Sequence, residues 1–120
     1  MASLNMKGPY ELRDGVIDEI VPANVIGNYA YGKEKEDGFY VYYVGRSDTN
    51  LQSEIKKRKN TDSKFSKCTH FKFSIAESIE DAFNKECKNY HDFNGCAGKL
   101  LNDIHPDSPT GMNLSCKYCK

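Results

Sequence analysis

The hydrophobic pattern is clearest in the middle of the chain, where it predicts a β-hairpin. Phe39–Val44 is a run of six residues that favour β-strands, and it follows the turn-forming dipeptide Asp37-Gly38. A second segment that favours strand, Asn24–Tyr31, precedes a short charged loop that leads to this turn. The two runs therefore predict antiparallel strands joined by a tight connection.

Further along the chain, alternation and helical spacing predict three more elements. His70–Ala76 alternates apolar and polar residues and predicts a half-buried strand, while residues 47–59 and 77–93 have the spacing of helices with one apolar face. Residues 99–104 predict a short third helix. A short strand is also expected at Gly15–Val21, near the start of the chain.

This order of elements predicts an α+β fold, with a small three-stranded antiparallel sheet (a β-hairpin plus a third strand) flanked by helices. A chain of 120 residues can bury one hydrophobic core and is too short for two. We expect one domain over residues 1–105, with its sequence motifs in about 24–105, followed by a C-terminal tail over residues 106–120.

The charge pattern changes the functional picture only slightly. Seventeen basic and 17 acidic residues give a net charge of zero, which disfavours a non-specific nucleic-acid binder. The basic residues are nevertheless concentrated in the run Lys56–Lys59, which is either a binding surface or a solvated helix face. No apolar run reaches the ~18 residues of a membrane span, and the N-terminus lacks the features of a signal peptide, so we expect a cytoplasmic protein with no membrane association.

Glu86 interrupts the apolar stripe of the second predicted helix. It follows Ile79 by seven residues and Ala82 by four, so it lies on the face that is expected to be buried. Burying a carboxylate is costly unless it is paired, hydrogen-bonded or bound to a cation. Glu86 is therefore either an edge residue whose head reaches water or a ligand of a divalent metal.

Three segments together resemble the GIY-YIG nuclease superfamily. Gly27–Tyr29 and Tyr43–Ser47 are similar to the two signature strands of that superfamily, and Asn50-Leu51 opens a helix where the family opens one. Ala82–Glu86 resembles the later helix that presents the metal-binding Glu of the family. The resemblance covers about residues 24–105.

The resemblance implies cleavage of a DNA phosphodiester bond with the help of one divalent ion, Mg or Mn. By position, Glu86 would hold this ion, and Tyr29 or Tyr43 would help to accept a proton from the attacking water. A basic residue of the first helix would neutralise charge in the transition state. Asn102 is the positional candidate for the Asn that supports the site in the family.

The chain departs from the family pattern at Glu54, where the family places an Arg. A carboxylate would repel phosphate, so another residue must supply the positive charge if activity is retained. Arg58, one turn later, and Arg46, directly after Gly45, are the two candidates. Alternatively, Glu54 and Arg58 form an i,i+4 ion pair and the site is inactive.

A second set of residues predicts a structural zinc site. Cys87 and His91 are four residues apart on a predicted helix, and Cys116 and Cys119 form a CxxC motif in the tail. Together they would make a tetrahedral Cys₃His site that connects the tail to the helix. Four other residues are alternative ligands: Cys68, His70, Cys96 and His105.

Three functions are compatible with these residues. The first is a metal-dependent endonuclease with a structural zinc that acts on DNA or, alternatively, on RNA. The second is a catalytically inactive nucleic-acid-binding module of the same fold, and the third is a zinc-stapled adaptor that binds another protein. Since no separate recognition domain is visible in 120 residues, we expect specificity to come from this domain itself, from a homodimer or from a partner protein.

Overall fold

Four strands and three α-helices form an α+β structure in the residues that the computed structural model describes, 6–36, 38–61 and 63–92. In chain order the elements are β1 Lys7–Glu11, α1 Asp14–Ile20, β2 Gly27–Lys35, β3 Gly38–Ser47, α2 Leu51–Arg58, a 3₁₀ helix Ser63–Lys67, β4 His70–Ile75 and α3 Ile79–Asp92.

The sheet is antiparallel, with strand order β1-β4-β2-β3. The predicted hairpin of β2 and β3 is confirmed, and β2 lies between β3 and β4, so that Tyr29 pairs with Gly45 on one side and Phe73 on the other. The prediction of three strands was wrong, because β1 adds a fourth strand to the outer edge of β4.

The region of Gly15–Val21, which we expected to be a strand, belongs mainly to α1. Its two fully buried residues, Ile17 and Val21, are four positions apart, which is the spacing of one helix face. Over such a short segment, a helical repeat and a strand alternation place apolar residues at nearly the same positions, and packing decides between them.

The two faces of the sheet are covered by different helices. On the face covered by α1 and α2, an aromatic core includes Tyr29, Tyr31, Phe71 and Phe73. On the opposite face, α3 packs against Ala30 and Val44 through Tyr90 and other residues. We refer to these as the α1/α2 face and the α3 face. Adjacent strand residues therefore belong to different environments.

Helix α2 begins where its capping residue predicts. The Asn50 side chain accepts a hydrogen bond from the backbone N–H of Ser53 at 3.3 Å, which satisfies one of the unpaired donors at the helix start. The basic run on α2 is partly structural, because Lys56 lies 2.6 Å from Asp18 and Lys59 lies 2.9 Å from Asp14 of α1. These ion pairs connect the two helices.

The predicted stripe of α3 is confirmed, since Ala82, Phe83, Glu86, Cys87 and Tyr90 are all buried. The third helix at residues 99–104, the domain boundary at 105 and the tail 106–120 lie outside the described residues. No helix in the part of the chain that is described has the length and apolar character needed to cross a membrane.

Replacing Gly45 by Ala is expected to lower the free energy of unfolding by ~1–3 kcal/mol, the usual cost of overpacking a core. A Cβ at this position would lie 2.6 Å from the Cζ and hydroxyl oxygen of Tyr29, whose ring is 1% exposed and cannot move aside. Urea denaturation measures the change.

Gly15→Ala is the matched control, because a Cβ there has no atom within 4 Å and the residue lies in α1. It should leave stability unchanged or raise it by up to about 1 kcal/mol. Equal effects of the two substitutions would contradict the packing of Tyr29 against Gly45.

Candidate active site

Tyr29 and Tyr43 lie side by side on the α1/α2 face. Because Gly45 has no side chain, the Tyr29 ring lies across it, with its centroid 6.1 Å from that of Tyr43 and 5.1 Å from that of Tyr31. Tyr31 donates its hydroxyl to the backbone oxygen of Ile55 at 2.6 Å and is thus used to hold α2. Tyr29 and Tyr43 remain the candidates for chemistry.

Glu54 is the hydrogen-bond acceptor for Tyr29. The Tyr29 hydroxyl lies 3.0 Å from Glu54 Oε2, and Nε of Arg58 donates to the same oxygen at 3.3 Å. The i,i+4 ion pair that the sequence offered as an alternative is therefore confirmed. The sequence did not indicate that this carboxylate also accepts a bond from a signature tyrosine.

A second pair of opposite charges lies on the α3 face. Arg46 of β3 forms an ion pair with Glu86 of α3 through its Nη1 and with Asp48 through its Nε, the latter at 2.9 Å. Its guanidinium also lies 5.1 Å from the centroid of the Phe83 ring. The prediction that Glu86 lies on the buried side of its helix is confirmed, since its side chain is 11% exposed.

The two groups are connected through β3, an edge strand of the sheet that carries Tyr43 of the first group and Arg46 of the second. Their charges interact across this edge: the Glu54 carboxylate contributes to raising the pKa of Glu86, and Glu86 contributes to raising that of Tyr43. Of the predicted residues, Tyr29, Tyr43 and Arg58 lie together on the α1/α2 face, while Arg46 and Glu86 contact each other on the α3 face. Asn102 lies outside the described residues.

Burial dominates the protonation behaviour of the site. It raises the pKa of Glu86 to about 7, despite the opposing effect of Arg46. Burial likewise raises the pKa of Tyr29 well above 10, and it raises that of Tyr43, where Arg58 opposes it. At neutral pH the two tyrosines are therefore hydroxyl donors, while Glu86 exchanges between its two protonation states.

Glu86 is a suitable ligand for a metal ion that takes its other ligands from water and from the substrate. Within residues 6–36, 38–61 and 63–92, no group of three or more His, Cys, Asp or Glu side chains could form a metal site by itself. Mg²⁺ often binds one or two carboxylates and takes its other ligands from water and substrate phosphates. The buried carboxylate of Glu86 fits this pattern as a single protein ligand.

The proposed zinc ligands are only partly described. Cys87 is fully buried in α3, and His91 is half-buried one turn later. Cys116 and Cys119 lie outside the described residues, so the zinc site stays a prediction.

The sequence reasoning missed two polar residues near the site. Asp48 follows Arg46 by two positions, a spacing that could have indicated a local ion pair. Asn28, which pairs with Arg46 across the strands, is fully buried and donates through Nδ2 to the backbone oxygen of Ala82 at 2.8 Å, connecting β2 to α3. The position of Asn28 as a polar residue within an otherwise apolar part of β2 could have indicated that it is buried and hydrogen-bonded.

The raised pKa of Glu86 predicts a pH-dependent stability. Because the folded value of about 7 exceeds the ordinary 4.5, the folded state binds the proton more tightly, and stability falls as pH rises from about 4.5 to about 7. The total loss is on the order of 3 kcal/mol or less. Glu86→Gln cannot ionise, so its stability relative to the original chain should increase over this range, as measured by urea denaturation at several pH values.

Glu80→Gln on the exposed side of the same helix is the control and should follow the original pH curve. Parallel curves for the original chain and Glu86→Gln would show that residue 86 does not titrate in this window.

Comparisons of the chain with protein-family models, with curated proteins and with solved structures give no significant match. A function is therefore inferred from the geometry of the residues on and around β3.

Proposed function

We propose that the chain is a GIY-YIG-type, divalent-metal-dependent endonuclease that hydrolyses DNA phosphodiester bonds. One observation carries the proposal: two tyrosines and Arg58 lie together on one face of the sheet, and Arg46 with the buried carboxylate of Glu86 lies on the other face, with the edge strand β3 contributing to both groups. Acid–base groups, a cation ligand and phosphate donors are the parts that phosphodiester hydrolysis requires.

Glu86 is the residue that would hold the metal, Mg or Mn. When bound, this ion would polarise the scissile phosphate and stabilise charge on the leaving oxygen. Arg46 already donates to one oxygen of Glu86, so it fixes the orientation of the carboxylate.

Arg58 is the best placed donor to the phosphate. Its side chain is 42% exposed, and its hydrogen bond to Glu54 uses only Nε. A guanidinium has five N–H donors, so the two terminal nitrogens can contact phosphate oxygens while Glu54 holds the side chain in place. Glu54 would then orient Arg58 and would not replace it.

The Glu54 carboxylate also completes a route for the proton of the attacking water. The half-buried Tyr43 lies beside Tyr29, with the two ring centroids 6.1 Å apart, and the hydroxyl of Tyr29 donates to Glu54. The water gives its proton to the Tyr43 oxygen, Tyr43 passes its own proton to Tyr29, and Tyr29 passes its own to Glu54. The leaving oxygen takes a proton from solvent, and neither tyrosine becomes an anion, which matters because burial raises their pKa values.

A non-catalytic nucleic-acid-binding module is the second candidate. It is favoured by the engagement of both arginines, since Arg58 is paired with Glu54 and Arg46 with Glu86 and Asp48. A phosphate would then have to compete with carboxylates for each donor. The leading proposal also includes a cytoplasmic location and a structural zinc held by Cys87, His91, Cys116 and Cys119. Its alternative outside the nucleic-acid-binding proteins is a zinc-stapled adaptor that binds another protein.

Nicking of supercoiled plasmid DNA in Mg²⁺ or Mn²⁺ tests the leading proposal. Glu86→Gln should abolish nicking, because it removes the cation ligand while keeping nearly the same shape. Glu80→Gln, on the exposed side of α3, should nick like the original chain. Nicking that persists in Glu86→Gln at the original rate would place the metal elsewhere or identify a contaminant.

Glu54→Gln tests the proton route separately from substrate binding. Gln can still accept a bond from Tyr29 but cannot take its proton, so the single-turnover cleavage rate should fall by about 10²-fold or more. Affinity for the same DNA, measured in EDTA, should stay unchanged or increase, because a negative charge is removed.

Glu19→Gln, an exposed residue of α1, controls for the loss of one carboxylate. If the original chain binds DNA without cleaving it under any metal condition, the non-catalytic module is the correct function. If it cleaves and Glu54→Gln cleaves equally fast, the proton leaves by another route.

A further inference from the structure

Three lysines and two tyrosines form a continuous surface at the hairpin end of the α1/α2 face, which we call the lysine–tyrosine surface. It consists of Lys33, Lys35, Tyr40, Tyr42 and Lys67. Lys33 pairs with Tyr40 across the strands, so their side chains share a face. Tyr42 packs at the margin of the aromatic core on this same face.

Two of the three lysines of this surface lie over tyrosine rings. Lys35 Nζ is 4.5 Å from the centroid of Tyr40, and Lys67 Nζ is 5.7 Å from that of Tyr42. In the described part of the chain, neither these two lysines nor Lys33 forms an ion pair with a carboxylate. They differ in this respect from Lys56 and Lys59 of α2, which acidic residues of α1 neutralise.

Two acidic residues of the described part of the chain, Glu34 and Glu36, lie near this surface. Glu34 alternates with Lys33 and Lys35 along β2, so it belongs to the opposite face, where its carboxylate lies 3.9 Å from His70 Nε2. Glu36 lies in the exposed turn beyond β2. The lysine–tyrosine surface therefore combines positive charge with accessible aromatic rings, and Tyr40 is 37% exposed.

We propose that the lysine–tyrosine surface binds a single-stranded stretch of nucleic acid. Stacking of bases on aromatic side chains next to lysines that contact phosphates is the usual basis of such binding, and only an unpaired strand offers its base faces. Tyr40 and Tyr42 are two residues apart, about 7 Å along the strand, so each ring is a separate platform. A base would displace the lysine from the ring, and the lysine would move to a phosphate.

This surface adjoins the candidate active site, since Tyr42 is followed directly by Tyr43. A strand bound along the edge of β3 would therefore lead towards Arg58 and Tyr43. The direction of this strand towards Arg58 and Tyr43 rests on the proposed nuclease function, whereas the binding itself does not.

Fluorescence anisotropy with a labelled oligothymidylate of about 15 nucleotides tests the proposal, in EDTA so that cleavage plays no part. Tyr40→Ala and Tyr42→Ala should each weaken binding at least about fivefold, the lower range for loss of one stacked base. Lys35→Glu should weaken it by a similar factor or more, and should make affinity less dependent on salt. A duplex of the same length should bind more weakly to the original chain.

Lys88→Glu is the matched control, because it makes the same charge change on α3, where Lys88 pairs with Asp92. It should bind like the original chain, and circular dichroism should confirm that all variants fold. Tighter binding of oligouridylate would identify RNA as the preferred source of the strand.

The proposal is overturned if the original chain does not bind oligothymidylate or oligouridylate, or if Lys88→Glu weakens binding as much as Lys35→Glu. It is also overturned if only an acidic peptide binds at this surface. None of these results would test the role of Glu86 in DNA nicking, since no metal is present in the binding assay.

Discussion

The packing of the Tyr29 ring against Gly45 is the contact on which both the core and the candidate site depend. Gly45 gives the ring room to lie across β3, between the rings of Tyr31 and Tyr43. The hydroxyl at the end of this fixed ring then meets Glu54 of α2. The same side chain thus fills the core, sets the distance between the sheet and α2, and directs its hydroxyl to the Glu54 carboxylate.

The ion pair between Arg46 and Glu86 has a different physical character from the other pairs of the molecule. Lys56 and Asp18 form an exposed pair, and exposed pairs contribute little to stability. Arg46 and Glu86 are both about nine-tenths buried, so the cost of removing them from water offsets much of their attraction. The raised pKa of Glu86 is a consequence of that cost. The burial of this pair is therefore weak evidence that it stabilises the fold.

Local signals in the sequence predicted the fold more successfully than distant ones. The hairpin and the start of α2 depend on neighbouring residues, such as the Asn50 cap, and both are confirmed. Strand β1 was missed because it forms by pairing with β4, whose paired residues lie between 59 and 66 positions further along the chain. The burial of Glu86 followed from helical spacing. The hydrogen bond that Tyr29 donates to Glu54 could not be predicted, since it depends on how far α2 lies from β2.

The arrangement of charge by face also resolves the apparent conflict between a neutral chain and a nucleic-acid substrate. A net charge of zero disfavours such a partner only when the charges are evenly mixed. Here carboxylates neutralise the two arginines of the site and two lysines of α2. Two of the three lysines at the hairpin end lie over tyrosine rings without such partners among the described residues. Over the ~10 Å that charges act in physiological salt, a phosphate strand responds to that local surface and not to the sum.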